Sequence, residues 1–149
     1  IQWSNNCYSY AANDPCGHAY RCKPQPGMAA GLDAPAFPYT CADVSSRAAS
    51  DGFLTIDCDT PCSAGFYKVA LAVDNVIVSE GDADYHWYRQ DQGGCWSHKR
   101  GWGEVRNVDA SESTIADPRL ANRNYGVYDY AQFCGCFCAP RQGIRTRCP

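Results

Sequence analysis

Eleven cysteines in a chain of 149 residues is an odd number, so if ten of them pair one thiol is left over. Cys7 stands in Asn6-Cys7-Tyr8-Ser9-Tyr10-Ala11, where a helix is expected to begin, and His86 lies in a strand-like segment far along the chain. A free thiol and a histidine are the minimum equipment of a cysteine hydrolase: the imidazole acts first as base toward the thiol and then as acid toward the leaving group. A thiol with an ordinary pKa of about 8.5 is mostly protonated at neutral pH, so the positive end of a helix and an imidazolium would have to stabilise the thiolate. A third polar group must fix the imidazole tautomer, and Asn107 or Asp109 on the following strand are the candidates. His98, in Trp96-Ser97-His98-Lys99, is the rival to His86. The structural alternative is a disulfide for Cys7 and a hydrogen-bonded place in a half-buried sheet for His86.

The elements that would position these groups can be read from the pattern. Residues 4–13 form a short helix, with Ser4, Asn5 or Asn6 as N-cap and Asp14-Pro15 as its stop. The stretch from Pro24 to Pro38 is too rich in proline and glycine for regular structure and is expected as a surface loop walling a groove. Cys41 to Ser50 reads as a second helix capped by Thr40 and ended near Gly52. The period then changes. Phe66 to Val73 is rich in β-branched and aromatic residues, and Asp74-Asn75 offers a turn before Val76-Ile77-Val78. Asp84 to Gln90 is a further strand, Asp91-Gln92-Gly93-Gly94 a turn, Cys95 to Lys99 its hairpin partner, and Gly103 to Asp109 another strand. Helices first and an antiparallel sheet after them define an α+β class, with residues 1–149 as one disulfide-rich domain. On the strand from Asp84, side chains alternate, so His86 shares a face with Asp84, Tyr88 and Gln90 while Tyr85, Trp87 and Arg89 take the other. A helix N-terminus packed on the first face would bring Cys7 to His86.

Cysteine at this density belongs to an oxidising compartment, which makes the chain secreted and extracellular. Its start at Ile1, without a basic segment leading into an apolar run, is expected of a mature form whose signal peptide is gone. No stretch approaches the roughly 20 apolar residues of a membrane span. Thirteen Lys and Arg against sixteen Asp and Glu give a net charge of −3 with no basic run interleaved with aromatics, which excludes a nucleic-acid footprint. Arg141, Arg145 and Arg147 gather in a tail that is read as solvated and tethered by Cys148.

Two further constellations bear on function. Cys134-Gly135-Cys136-Phe137-Cys138 puts three thiols at period two, on one face if extended; in an oxidising compartment three disulfides leaving one strand explain it better than a soft metal. Histidines 18, 86 and 98 lack metal-ligand spacing, so no metal and no cofactor is expected. Ten tyrosines and four tryptophans exceed the needs of a core this size. Tyrosine-rich surfaces bind sugars and proteins, so a binding module or a filament or matrix subunit competes with the enzyme. In that reading the odd cysteine forms an intermolecular bridge.

Asn6-Cys7-Tyr8-Ser9-Tyr10-Ala11, His86 on a mid-chain strand and Asn107 or Asp109 after it resemble the Cys, His, Asn/Asp order of papain-like cysteine peptidases, most nearly the compact bacterial cell-wall amidases and endopeptidases of the CHAP type. The resemblance implies Cys7 as nucleophile, His86 as base and then acid, Asn107 or Asp109 as orienter, and Gln2 near the place of the oxyanion-hole glutamine. The substrate it implies is an amide bond in a peptide or peptidoglycan-like polymer. A second set of segments covers more of the chain: Asn-Cys-Tyr-x-Tyr-Ala at 6–11, Gln-Pro-Gly-x-Ala-Ala-Gly at 25–31, Asp-Tyr-His-Trp-Tyr-Arg-Gln-Asp at 84–91, Trp-Ser-His-Lys at 96–99 and Asp-Pro-Arg at 117–119. These resemble a group of uncharacterised secreted microbial proteins and imply a shared domain without an activity. The competing expectation is a disulfide-stabilised extracellular subunit that binds a glycan or protein, or assembles with itself, including a hydrolase-like domain reused for binding.

Overall fold

A computed structural model describes residues 6–14, 23–76, 80–101 and 103–146. Its elements are α1 (Cys7–Ala11), α2 (Cys41–Ser50), β1 (Leu54–Ile56), β2 (Phe66–Asp74), a 3-10 turn (Glu80–Asp82), β3 (Asp84–Gln90), β4 (Trp96–Lys99), β5 (Val105–Arg106) and β6 (Gln132–Pro140). The strands form one six-stranded sheet in the order β1-β6-β2-β3-β4-β5. Every pairing is antiparallel. The expected α+β class therefore holds only loosely: helices of 5 and 10 residues flank what is mostly a sheet.

The second helix and the strands from Phe66, Asp84 and Trp96 lie where pattern and caps put them. Thr40 accepts the Asp43 amide at 3.1 Å and begins α2. In the middle of the sheet β2 is apolar on both faces because both are covered. Val69, Leu71 and Val73 meet α1 and α2 together with Tyr85, Trp87 and Phe137. Ala70 and Ala72 lie on the other face with Tyr88, Trp96, Ile115 and Tyr130, beneath the irregular segment 107–131. That segment is held by two side chains acting as hubs. The Asp109 carboxylate accepts the amides of Ser111, Ser113 and Asn122, and the Arg123 guanidinium donates to the carbonyls of Pro118, Arg119, Tyr130 and Ala131. The expected strand from Gly103 to Asp109 shrinks to Val105–Arg106, since Asp109 is spent on these turns. The strand expected at Val76-Ile77-Val78 lies largely outside the described residues.

Three disulfides leave β6, as its cysteine spacing foretold: Cys41–Cys134, Cys58–Cys136 and Cys62–Cys138. They do not leave one face. The β2–β6 register runs from Leu71↔Gly135 to Ala72↔Phe133, so Cys134 is an extra residue in a bulge, beside Gly135 at φ 136°. A bulge reverses the alternation. It turns Cys134 toward the helix layer, where Cys41 opens α2, while Cys136 stays on the opposite face with Cys58.

Candidate functional site

The β3–β4 ladder pairs Tyr88, Arg89 and Gln90 with His98, Ser97 and Trp96, and β4 ends at Lys99. The first half of β3 therefore has no strand beside it on that side. A cavity of about 380 Å³ opens there, lined by Cys7, Asp84, His86, Arg100, Tyr128 and Tyr130 among others, with Lys23 and, from the expected loop, Gln25 on its wall. Cys7 and His86 thus reach one cavity, but they come from opposite sides of the sheet. Helix α1 packs on the Tyr85 and Trp87 face, with the Tyr8 and Trp87 rings 5.5 Å apart, because Tyr8 and Ala11 must be buried with the larger apolar cluster. This corrects the expectation that the helix N-terminus packs on the face of His86.

Each residue of the Asn6–Ala11 motif has a packing role. Asn6 accepts the Ser9 amide and Ser9 Oγ accepts the Asn6 amide, both at 3.0 Å, a reciprocal cap that starts the helix. The Asn6 side chain also donates to the Pro24 carbonyl at 2.7 Å. Tyr8, fully buried, donates to Asp51 at 2.5 Å. Tyr10 reaches Ser97 Oγ at 2.8 Å, and the Ala11 carbonyl accepts the Tyr67 hydroxyl. Cys7 fills the gap left by β4: its thiol donates to the Tyr85 carbonyl at 4.0 Å and meets the Trp87 amide, so it serves two backbone groups that a neighbouring strand would have paired.

The electrostatics oppose a thiolate. Burial, and then the charge of Asp84, push the Cys7 thiol up to about 12, with only partial relief from the Trp87, Tyr8 and Cys7 amides. A five-residue helix supplies little dipole. Burial, His98 and Arg100 hold His86 well below the ordinary histidine range. Both groups are neutral at pH 7, and the expected thiolate–imidazolium pair is replaced by a neutral thiol and a neutral imidazole.

His86 is oriented by His98, through Nε2···Nδ1 at 2.7 Å, and His98 Nε2 meets the Val108 carbonyl at 2.9 Å. A carbonyl only accepts, so His98 carries its proton on Nε2, its Nδ1 accepts, and His86 donates from Nε2. The chain of tautomers is fixed with both rings neutral. Burial also lowers His98, against the pull of the Val108 bond. Tyr130 stacks on His86 at 5.1 Å and Tyr88 on His98 at 5.2 Å. Tyr130 donates to Asp84 at 2.6 Å, yet burial still raises the Asp84 carboxyl.

The other expected site residues fall elsewhere. Asn107 is exposed and its carbonyl pairs with the Ile115 amide. Burial raises the Asp109 carboxyl, but its three amide partners outweigh this and hold it below the usual range. Neither of the two hydrogen-bonds to His86, and His98 stands in the orienting place. Gln2 and His18 lie outside the described residues. Among the described residues no three His, Cys, Asp or Glu side chains come close enough to hold a metal ion, and no helix is long and apolar enough to cross a membrane. Sequence reasoning missed the His86–His98 contact, though the signal was present: the turn at 91–95 pairs Tyr88 with His98, which puts His86 two residues along on the same face.

What remains is an extracellular, disulfide-stapled sheet protein in which the Asn6–Ala11 motif and the His86–His98 pair serve internal packing. The chain is 37% identical over 138 residues, 91% of its own length and 79% of the other's, to insoluble matrix shell protein 1 of Ruditapes philippinarum, and belongs to the same family. No family model matches the chain, and no solved structure matches it. The relationship to a mollusc shell protein overturns the resemblance to papain-like peptidases and that to secreted microbial proteins.

Proposed function

We propose that this protein is a non-enzymatic structural subunit of an extracellular matrix, incorporated by self-assembly. The observation that carries the reading is the relationship along nine-tenths of the chain to a protein named for an insoluble shell matrix. The architecture supports it. Three disulfides tie the segment from Cys41 to Cys62 to β6, which restricts the unfolded chain and stabilises the subunit. Among the described residues Cys7 and Cys95 are the free thiols, Cys7 buried and Cys95 exposed in the β3–β4 turn. Of these two, Cys95 is the thiol open to a second chain, and an exposed free thiol is what an intermolecular bridge uses.

The test is sedimentation and non-reducing electrophoresis of the purified protein after mild oxidation. Covalent dimers that return to monomer with reductant, and that are lost in Cys95→Ser, support the reading. A protein that stays monomeric under oxidation at high concentration contradicts it.

A further inference from the structure

A second cavity lies at the far end of the sheet, away from Cys7 and His86. Its volume is about 540 Å³, and it is bounded by the start of β2, the end of β3 and the residue that follows β6. Three cations line it: Lys68, Arg89 and Arg141. In a chain of net charge −3 such a grouping has to be explained.

The nearby carboxylates do not neutralise it. Among the described residues the ion pairs are Arg47–Asp43, Arg106–Glu112, Arg119–Asp59 and Arg119–Asp117, and none uses a cation of the cavity. Asp59, which feels the charge of Lys68, is committed to Arg119 at 2.7 Å. Asp91, the carboxylate on the cavity wall, accepts the Ser97 hydroxyl at 2.9 Å. Lys68 is only 8% exposed, and the bond found for its ammonium goes to a neutral partner, the Cys58 carbonyl, at 2.5 Å. A buried ammonium with a single carbonyl partner is a poorly compensated charge. Arg89 is held ready: its guanidinium lies 4.7 Å from the centre of the Tyr67 ring and 5.5 Å from that of Tyr10, and it donates to Asn13 Oδ1 at 3.1 Å. A guanidinium fixed by two rings loses little freedom on taking an oxyanion and presents its remaining donors as a fork.

From this geometry we infer an anion-binding cleft that takes a sulfate- or carboxylate-bearing saccharide. Arg89 and Arg141 supply the oxyanion contacts, and Lys68, whose ammonium turns to the Cys58 carbonyl on the opposite face of the sheet, adds positive charge behind them. Gln90 and Gln92 on the rim, with the Phe66 ring, supply the amide and apolar contacts that a sugar ring uses. The volume suits a unit or two of a saccharide better than a bare ion. The inference is independent of self-assembly through Cys95, which lies outside the cleft.

The experiment is calorimetric titration of the folded, oxidised protein with a sulfated disaccharide, a uronate disaccharide, a neutral disaccharide, inorganic sulfate and polyglutamate. The inference predicts binding of one or both acidic disaccharides, weakening with added salt, with the neutral sugar and inorganic sulfate at least tenfold weaker. Arg141→Gln, an exposed change that leaves the core intact, should weaken the acidic sugar roughly tenfold, and Arg89→Gln by at least as much. Arg89→Gln also removes a packing contact, so its circular dichroism must match wild type before it is counted. Equal affinity for inorganic sulfate overturns the saccharide assignment, as does preference for polyglutamate. No binding of any anion, or binding unchanged in Arg141→Gln, overturns the cleft.

Discussion

Tyr8 and Asp51 give the sharpest test of whether the Asn6–Ala11 motif is a packing device. Tyr8 has no exposed surface, and its hydroxyl donates to Asp51 Oδ2 at 2.5 Å. The same carboxylate accepts the Gly27 amide at 2.7 Å and the Ala30 amide at 2.9 Å, so one side chain ties α1, the end of α2 and the proline-rich loop together. Burial and the Asp51 charge hold the Tyr8 phenol protonated well above its usual range, as a donor must be. Tyr8→Phe removes one charge-assisted bond, worth about 1.5–3 kcal/mol. Asp51→Ala removes three and leaves the Tyr8 hydroxyl buried without a partner, so it should cost roughly 3–5 kcal/mol. Made together the two changes should cost less than their sum by about 1–2 kcal/mol, because the lost bond is counted twice. Urea unfolding of the four proteins at pH 7, followed by tryptophan fluorescence, yields the cycle. Tyr8→Phe alone should lower the melting temperature by about 4–8 °C. A coupling below about 0.5 kcal/mol, or an Asp51→Ala protein as stable as Tyr8→Phe, would refute the clamp.

Stability should fall in mild acid. His86 and His98 are held below the ordinary histidine range, so below about pH 6.5 the unfolded chain takes protons that the folded one refuses. The stabilisation is complete above that pH and is lost by up to about 1.4 kcal/mol per pH unit for each ring still neutral. The raised Asp84 carboxyl opposes this at more acid pH, where the folded state holds its proton the more tightly. Urea midpoints unchanged between pH 7.5 and 5.5 would contradict the paired neutral histidines. Iodoacetamide at pH 7 should label Cys95 readily and Cys7 at least a thousandfold more slowly than an ordinary thiol, as peptide mapping would read. Fast labelling of Cys7 would contradict its buried, protonated state. With Cys58–Cys136 intact, losing Cys41–Cys134 frees a loop of about 19 residues and losing Cys62–Cys138 one of about 6, so chain entropy makes the first cost about 3 kcal/mol and the second about 2. Chemical denaturation of the two double-alanine variants checks the order, and a reversed order would contradict the entropic account.

How much could be read beforehand depended on how local the signal was. Helix α2, β2 and β3 were legible because cap, period and composition agree within a few residues. Strand β1 escaped because Leu54–Ile56 is a strand only by pairing with Cys136–Cys138, far along the chain. The three-bridge role of β6 was legible from cysteine spacing, but the bulge at Cys134 was not, since it arises from register with β2. The site shows the same division. Alternation placed His86 with Asp84 and Tyr88 correctly, as its stacking on Tyr130 and its edge-to-face contact with Tyr88 bear out. Which face receives α1 is decided by where Tyr8 can be buried against Phe53 and Trp87, a property of the assembled core. The exposed thiol at Cys95 was hidden for a different reason: eleven cysteines name no partner until the bridges are seen.

The central claim is that this chain is a matrix subunit joined to its neighbours. The most direct measurement is extraction of the native protein from the extracellular matrix of its source organism, with and without reductant, followed by mass spectrometric mapping of its disulfides. The account predicts poor extraction without reductant, release on reduction, and a bridge from Cys95 to another chain. Full extraction without reductant, as a monomer with Cys95 free, would contradict it.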